Sequence, residues 1–96
     1  MRVVVTAPAE RDLEGIFDYI ASDSPRNAKK YVGELRRKIN GLGRFPLIHP
    51  LRGDLRTGLR TASHGSHVVV FRIAERIVEV IGVIHGARDL TELFGP

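Results

Sequence analysis

The chain has 96 residues, 43% of them apolar, no cysteine and a formal net charge of +4. That length suits one domain over residues 1–96 with a single core, and the missing thiols exclude a disulfide framework and thiolate metal ligation, which leaves a cytoplasmic setting as the expectation. The longest apolar run, Ile77 to Ile84, is broken by Glu79 and far shorter than the ~20 residues of a spanning helix, while Glu10, Arg11 and Asp12 follow the N-terminal valines too soon for a signal-peptide core.

Arg2 to Thr6 is short and β-branched, which predicts a strand. Thr6 is placed to cap a helix and Pro8 to sit in its first turn. Leu13, Ile16, Phe17 and Ile20 then recur at helical spacing, giving one buried stripe with Glu10, Asp12, Glu14 and Asp18 on the outer side or near the positive helix start. Ser24 and Pro25 repeat the capping pattern for a second helix, whose stripe is Ala28, Tyr31, Val32, Leu35, Ile39 and Leu42, ended by Gly41 and Gly43. So short a connection predicts an antiparallel helix hairpin.

Phe45 to Asp54 reads as a loop, punctuated by Pro46, Pro50 and Gly53. Three strands follow, near Leu55 to Ala62, Ser66 to Ile73 and Ile77 to His85, joined by turns at His64-Gly65 and Ala74-Glu75-Arg76. The expected fold is α+β, in the order β-α-α-β-β-β, with the helix hairpin on one face of a mainly antiparallel sheet. No repeat or linker divides it.

Alternation of period two assigns Leu55, Leu59, Val69, Phe71, Ile73, Val78, Val80 and Ile84 to the face under the helices. The other face then receives Arg56, Arg60, Val68, Val70, Arg72, Ile81, Val83 and His85. Charge is unevenly spread as well. Residues 24–44 hold seven basic side chains against one acidic, and residues 1–23 hold two basic against five acidic. A cationic, partly apolar sheet face suits an anionic partner segment, although arginine stems covering exposed valines would produce the same pattern. Neither the basic side of the second helix nor the acidic first helix supports a footprint across duplex DNA. His64 and His67 straddle a turn with few carboxylates nearby, so no metal or other cofactor is expected.

The residues Ala9-Glu10-Arg11-Asp12-Leu13, Tyr19-Ile20, Pro46, Gly58-Leu59-Arg60, Gly65 to Ile73 and Val83-Ile84-His85-Gly86-Ala87-Arg88-Asp89, in this order and chain length, resemble the RelE/ParE superfamily of toxins. The ending looks most like the ParE branch. The resemblance implies the toxin of a type II toxin–antitoxin system, held in a heteromeric complex by a ParD-like antitoxin with a DNA-binding N-terminus. It implies DNA gyrase as target in the ParE branch, or the ribosome and its mRNA in the RelE branch, where the toxin is a metal-independent endoribonuclease. An inactive relative that only binds antitoxin is the third reading. Fold alone does not decide among them.

Internal attack on RNA needs a base, an acid and cations for the phosphorane charge. Arg60, Arg72, His85 and Arg88 would be the candidates. The lysines and C-terminal tyrosine of the RelE-like pattern are missing, since no lysine follows Lys38 and no tyrosine follows Tyr31. The sequence therefore favours a binding toxin whose target or antitoxin surface is Arg56, Arg60, Val68, Val70, Arg72, Ile81, Val83, His85 and Arg88. Two bland roles compete with parts of that set: His85 as a structural histidine at a strand end, and Arg88 with Asp89 as a local pair.

Overall fold

Thr6 joins the first strand to the first helix in the computed structural model, which describes residues 1–96. Its backbone N–H and its hydroxyl both donate to the Val80 carbonyl, at 3.0 and 2.8 Å, and the same hydroxyl accepts the Ala9 N–H. Strand β1 (Arg2–Val5) thus runs into α1 (Ala7–Ala21) with the helix start tied to the sheet. Ser24 caps α2 (Pro25–Gly41) by accepting the Asn27 N–H at 3.2 Å. The two helices form the expected hairpin, braced outside by a bidentate Arg36–Glu10 pair. Both groups are largely solvated, so the pair contributes only about 0.2–1 kcal/mol.

After a single 3₁₀ turn at Pro46–Ile48 come β2 (Leu59–His64), β3 (His67–Ala74) and β4 (Ile77–His85). The sheet order is β1-β4-β3-β2. β1 is parallel to β4 and the other pairs are antiparallel, so the α+β layout holds with a mixed sheet. β2 begins later than alternation suggested, because Gly58 adopts φ +87° and turns the chain there.

Between hairpin and sheet lies the main core: Leu13, Leu35, Ile39, Val69, Phe71, Val78 and Val80 are almost wholly buried, with Ala62 and Val83 beside them. A second, smaller cluster on the opposite face holds Leu55, Leu59 and Val70, covered by Ile81, Leu90 and Phe94. Helix α3 (Leu90–Phe94), absent from the sequence reading, supplies that cover. Asp89 caps it by accepting from the Thr91 N–H and hydroxyl at 2.9 and 2.6 Å, bonds that hold its carboxyl below the usual range. The local Arg88–Asp89 pair, one of the two roles weighed for these residues, is not made.

Five face assignments within β2 and β4 are corrected. Phe71 pairs with Val80 and Val70 with Gly82, so Ile81 is an extra residue and β4 bulges. A bulge reverses the alternation beyond it. Val83 and His85 therefore lie on the helix side, opposite Val69 and His67, while Ile84 faces away. Asp12 of α1 accepts the Val83 N–H beyond the bulge at 2.9 Å. In β2 the register sets Leu59 against Arg72 and Arg60 against Phe71, so Leu59 leaves the main core for the second cluster and Arg60 faces the helix side. Arg60 avoids burial by reaching over the sheet edge, where its guanidinium donates to the His49 carbonyl at 2.6 Å. The second sheet face is consequently not bare; α3 and the Leu55 segment cover its centre.

Candidate functional site

A cleft of about 600 Å³ opens where the outer half of α1, the second turn of α2 and the ends of β3 and β4 meet. Arg11, Tyr19, Tyr31, His67, His85 and Arg88 ring it, over an apolar floor that includes Ile16, Ile20 and Val83. Tyr31 organises its inner wall. The hydroxyl stands 2.7 Å from His67 Nδ1 and 3.2 Å from the His64 carbonyl, and accepts the Ser66 N–H at 3.2 Å. Gly65, at φ +54°, makes this approach possible: a Cβ there would meet the tyrosine hydroxyl at 2.7 Å.

His67 and His85 pair across the strands with their rings edge to face, centroids 5.4 Å apart. His85 Nδ1 accepts the Ala87 N–H at 3.1 Å, so the neutral ring carries its proton on Nε2 and presents a donor to the cleft. Burial pushes the pKa of His67 below its ordinary 6.5, and the neighbouring His85 and His64 push the same way. Across the turn, His64 Nε2 lies 3.6 Å from Glu34 Oε1, a contact that becomes an ion pair on protonation.

A pH dependence of stability follows from His67. With its folded pKa below the unfolded one, the stability that the neutral ring contributes is complete above pH 6.5 and is lost as pH falls through the lower folded value. His49, lowered chiefly by burial and then by Lys38 and Arg60, acts in the same direction. Urea midpoints are expected to fall between about pH 7 and about pH 5, and His67→Gln to flatten part of that slope. An unchanged slope in the variant would assign the effect elsewhere.

A second depression of about 420 Å³ lies on the other sheet face, lined by Arg56, Leu59, Arg72, Glu79, Ile81 and Phe94 among others. Arg72 is paired with Glu79 directly opposite it, Nε to Oε1 at 2.7 Å. Arg56 lays its guanidinium 5.6 Å from the centre of the Phe94 ring and donates its backbone N–H to the Phe94 carbonyl at 2.8 Å. Both cations thus have partners within the chain.

The nine residues singled out in the sequence fall into three places. Arg56, Val68, Val70, Arg72 and Ile81 lie around or beneath the α3 groove, with Val70 fully buried and Val68 half-buried. Val83, His85 and Arg88 belong to the histidine cleft. Arg60 stands apart at the His49 carbonyl. The four nuclease candidates, Arg60, Arg72, His85 and Arg88, therefore do not converge on one point. Nor is any group of three or more His, Asp or Glu side chains arranged to hold a metal.

Sequence reasoning missed Arg11, Tyr19 and Tyr31 and weighed His67 as a metal ligand. Tyr31 was hidden in an apolar stripe that it also serves, packing against the main core. The available signal was Gly65 between two histidines: a hairpin turn with φ > 0 carries flanking side chains to one strand end.

Residues 3–90 match the family model described as the ParE toxin of the type II toxin-antitoxin system parDE. The chain belongs to the ParE toxin family. Among curated ParE toxins it is 28% identical over 95 residues to Toxin ParE3 of Caulobacter vibrioides, covering 98% of this chain and 95% of that one. Toxin ParE1 of the same organism is 35% identical over 78 residues, 80% of each chain. Among solved structures, one described as the chromosomal ParDE TA system from P. aeruginosa superposes with a TM-score of 0.76 at 22% identity, covering 88% of this chain and 95% of that one, which establishes the ParE fold. The toxin-antitoxin complex RelBE2 from Mycobacterium tuberculosis gives 0.62 at 26% identity, with the same coverage. The resemblance read from the sequence is thereby borne out, on the ParE side of the superfamily. No helix of this ParE chain is long and apolar enough to cross a membrane.

Proposed function

We propose that this ParE-family toxin acts by binding DNA gyrase and arresting replication, and that a ParD-like antitoxin with a DNA-binding N-terminus neutralises it in a heteromeric complex in the cytoplasm. The observation that carries the reading is the separation of Arg60, Arg72 and His85. Strand cleavage of RNA requires acid, base and cations within hydrogen-bond reach of one phosphate, whereas here Arg60 serves a loop carbonyl, Arg72 is paired with Glu79, and His85 lies on the opposite sheet face from the Arg72–Glu79 pair. Binding by a toxin needs surface complementarity alone. The histidine cleft, with Arg11 and Arg88 at its rim, and the groove under α3 are concave surfaces open to such partners.

Induction without the antitoxin is expected to give filamentous cells, and the purified toxin to reduce supercoiling by gyrase. Intact supercoiling at saturating toxin, with mRNA cut in the ribosomal A site, would replace this reading with the ribonuclease one. Unimpaired growth on induction would leave an antitoxin-binding relative.

A further inference from the structure

Four large apolar side chains stand exposed within seven residues of the loop after α2: Phe45 at 69%, Leu47 at 68%, Ile48 at 72% and Leu51 at 57%. Their outward position is built in. Pro46 is buried at the start of the 3₁₀ turn, which leaves Leu47 and Ile48 outside it. The base of the loop is fixed by the Met1 amino group, which donates to the Gly43 carbonyl at 2.7 Å. Any Cβ on Gly43 would collide with the Met1 carbonyl, so only glycine permits this closure. An apolar patch of this kind on a small protein marks a contact surface.

The patch is concave on both sides of its ridge. Phe45 and Ile48 separate a groove of about 380 Å³, shared with Met1 and Arg44, from one of about 260 Å³, shared with Arg37, Lys38 and His49. Neither groove contains a carboxylate. The chain's four ion pairs leave Arg37, Lys38 and Arg44 without an acidic partner.

We infer that this loop is a docking site for an acidic amphipathic helix of the antitoxin, which sets apolar side chains into the two grooves and carboxylates against Arg37, Lys38 and Arg44. The choice of partner rests on the antitoxin reading above. Charge decides against a second copy of the chain, because a symmetric contact would bring the same cations face to face. Shape decides against a lipid surface, since paired grooves receive discrete side chains as helix-in-groove partners do. Apolar anchors at the centre give most of the affinity, and rim charges give rate and salt dependence.

The test is calorimetric titration of the full-length chain with the product of the adjacent antitoxin reading frame, at two salt concentrations. Ile48→Asp is expected to weaken binding at least ~10-fold, an ordinary effect for an interface anchor. Arg37→Glu with Lys38→Glu should weaken it comparably at low salt and much less at high salt. Ile48 and Arg37 are exposed and Lys38 is half-buried, so circular dichroism should be unchanged. Wild-type affinity in both variants would overturn the docking site while leaving the antitoxin reading intact. Failure of the wild-type chain to bind that antitoxin at all would sink both. Self-association of the wild type that Ile48→Asp abolishes, or binding to anionic vesicles that it abolishes, would assign the patch to those occupants instead.

Discussion

Replacing Phe71 by alanine is expected to lower unfolding free energy by about 3–5 kcal/mol, the range for a large aromatic removed from a packed interior. The ring is fully buried, pairs across the sheet with Val80 and Arg60, and meets His49 edge to face at 5.7 Å between centroids. It is the largest wholly buried side chain in the molecule, seated between the hairpin and the middle of the sheet. A domain of this size commonly has only ~5–15 kcal/mol in total. The variant should therefore be marginally folded, and urea unfolding followed by circular dichroism measures it directly. A loss under ~1 kcal/mol would mean that the hairpin and sheet do not share one core.

Gly82→Val should act on the opposite face. A Cβ on Gly82 would stand 2.8 Å from the tip of the Phe94 ring, closer than real Cβ atoms approach. Phe94 must then leave, taking α3 off Leu55, Leu59 and Val70 and releasing the Arg56 guanidinium from its ring. The expected cost is about 1–3 kcal/mol, as for other overpacked sites. Hydrogen exchange gives the more specific readout: the Arg56 amide, which donates to the Phe94 carbonyl, should lose protection while β1 and the helix hairpin keep theirs. Equal protection throughout would show that α3 is not held by this contact. The same variant bears on function, since it uncovers an apolar surface beneath the Arg56–Arg72 groove.

The pH dependence at His67 and the loop variants at Ile48 and Arg37 probe the helix-side cleft and the loop after α2, so the four sets of variants report on separate parts of the molecule. Of these, the loop was plainly legible as a loop. Its significance was not, because a run such as Phe45-Pro46-Leu47-Ile48 reads equally well as buried punctuation until burial is known.

Most elements could be read from the residues alone: the Thr6 and Ser24 caps, the two helical stripes, the short turn that forces an antiparallel hairpin, and the succession of strands along the chain. These are encoded locally, in capping chemistry and periodicity, and the family likeness spread along the chain was legible from residues alone. Which side of the sheet each late residue faces depends instead on how the strands pair. One extra residue at Ile81 reverses the alternation of β4, and the register of β2 sends Arg60 and Leu59 to the sides opposite those expected. A bulge leaves no periodic trace, because it is set by hydrogen bonding to a neighbouring strand and, here, by Asp12 of a distant helix accepting the Val83 amide. The same holds for Tyr31 and His67, which are 36 positions apart and meet only once the hairpin has closed on the sheet.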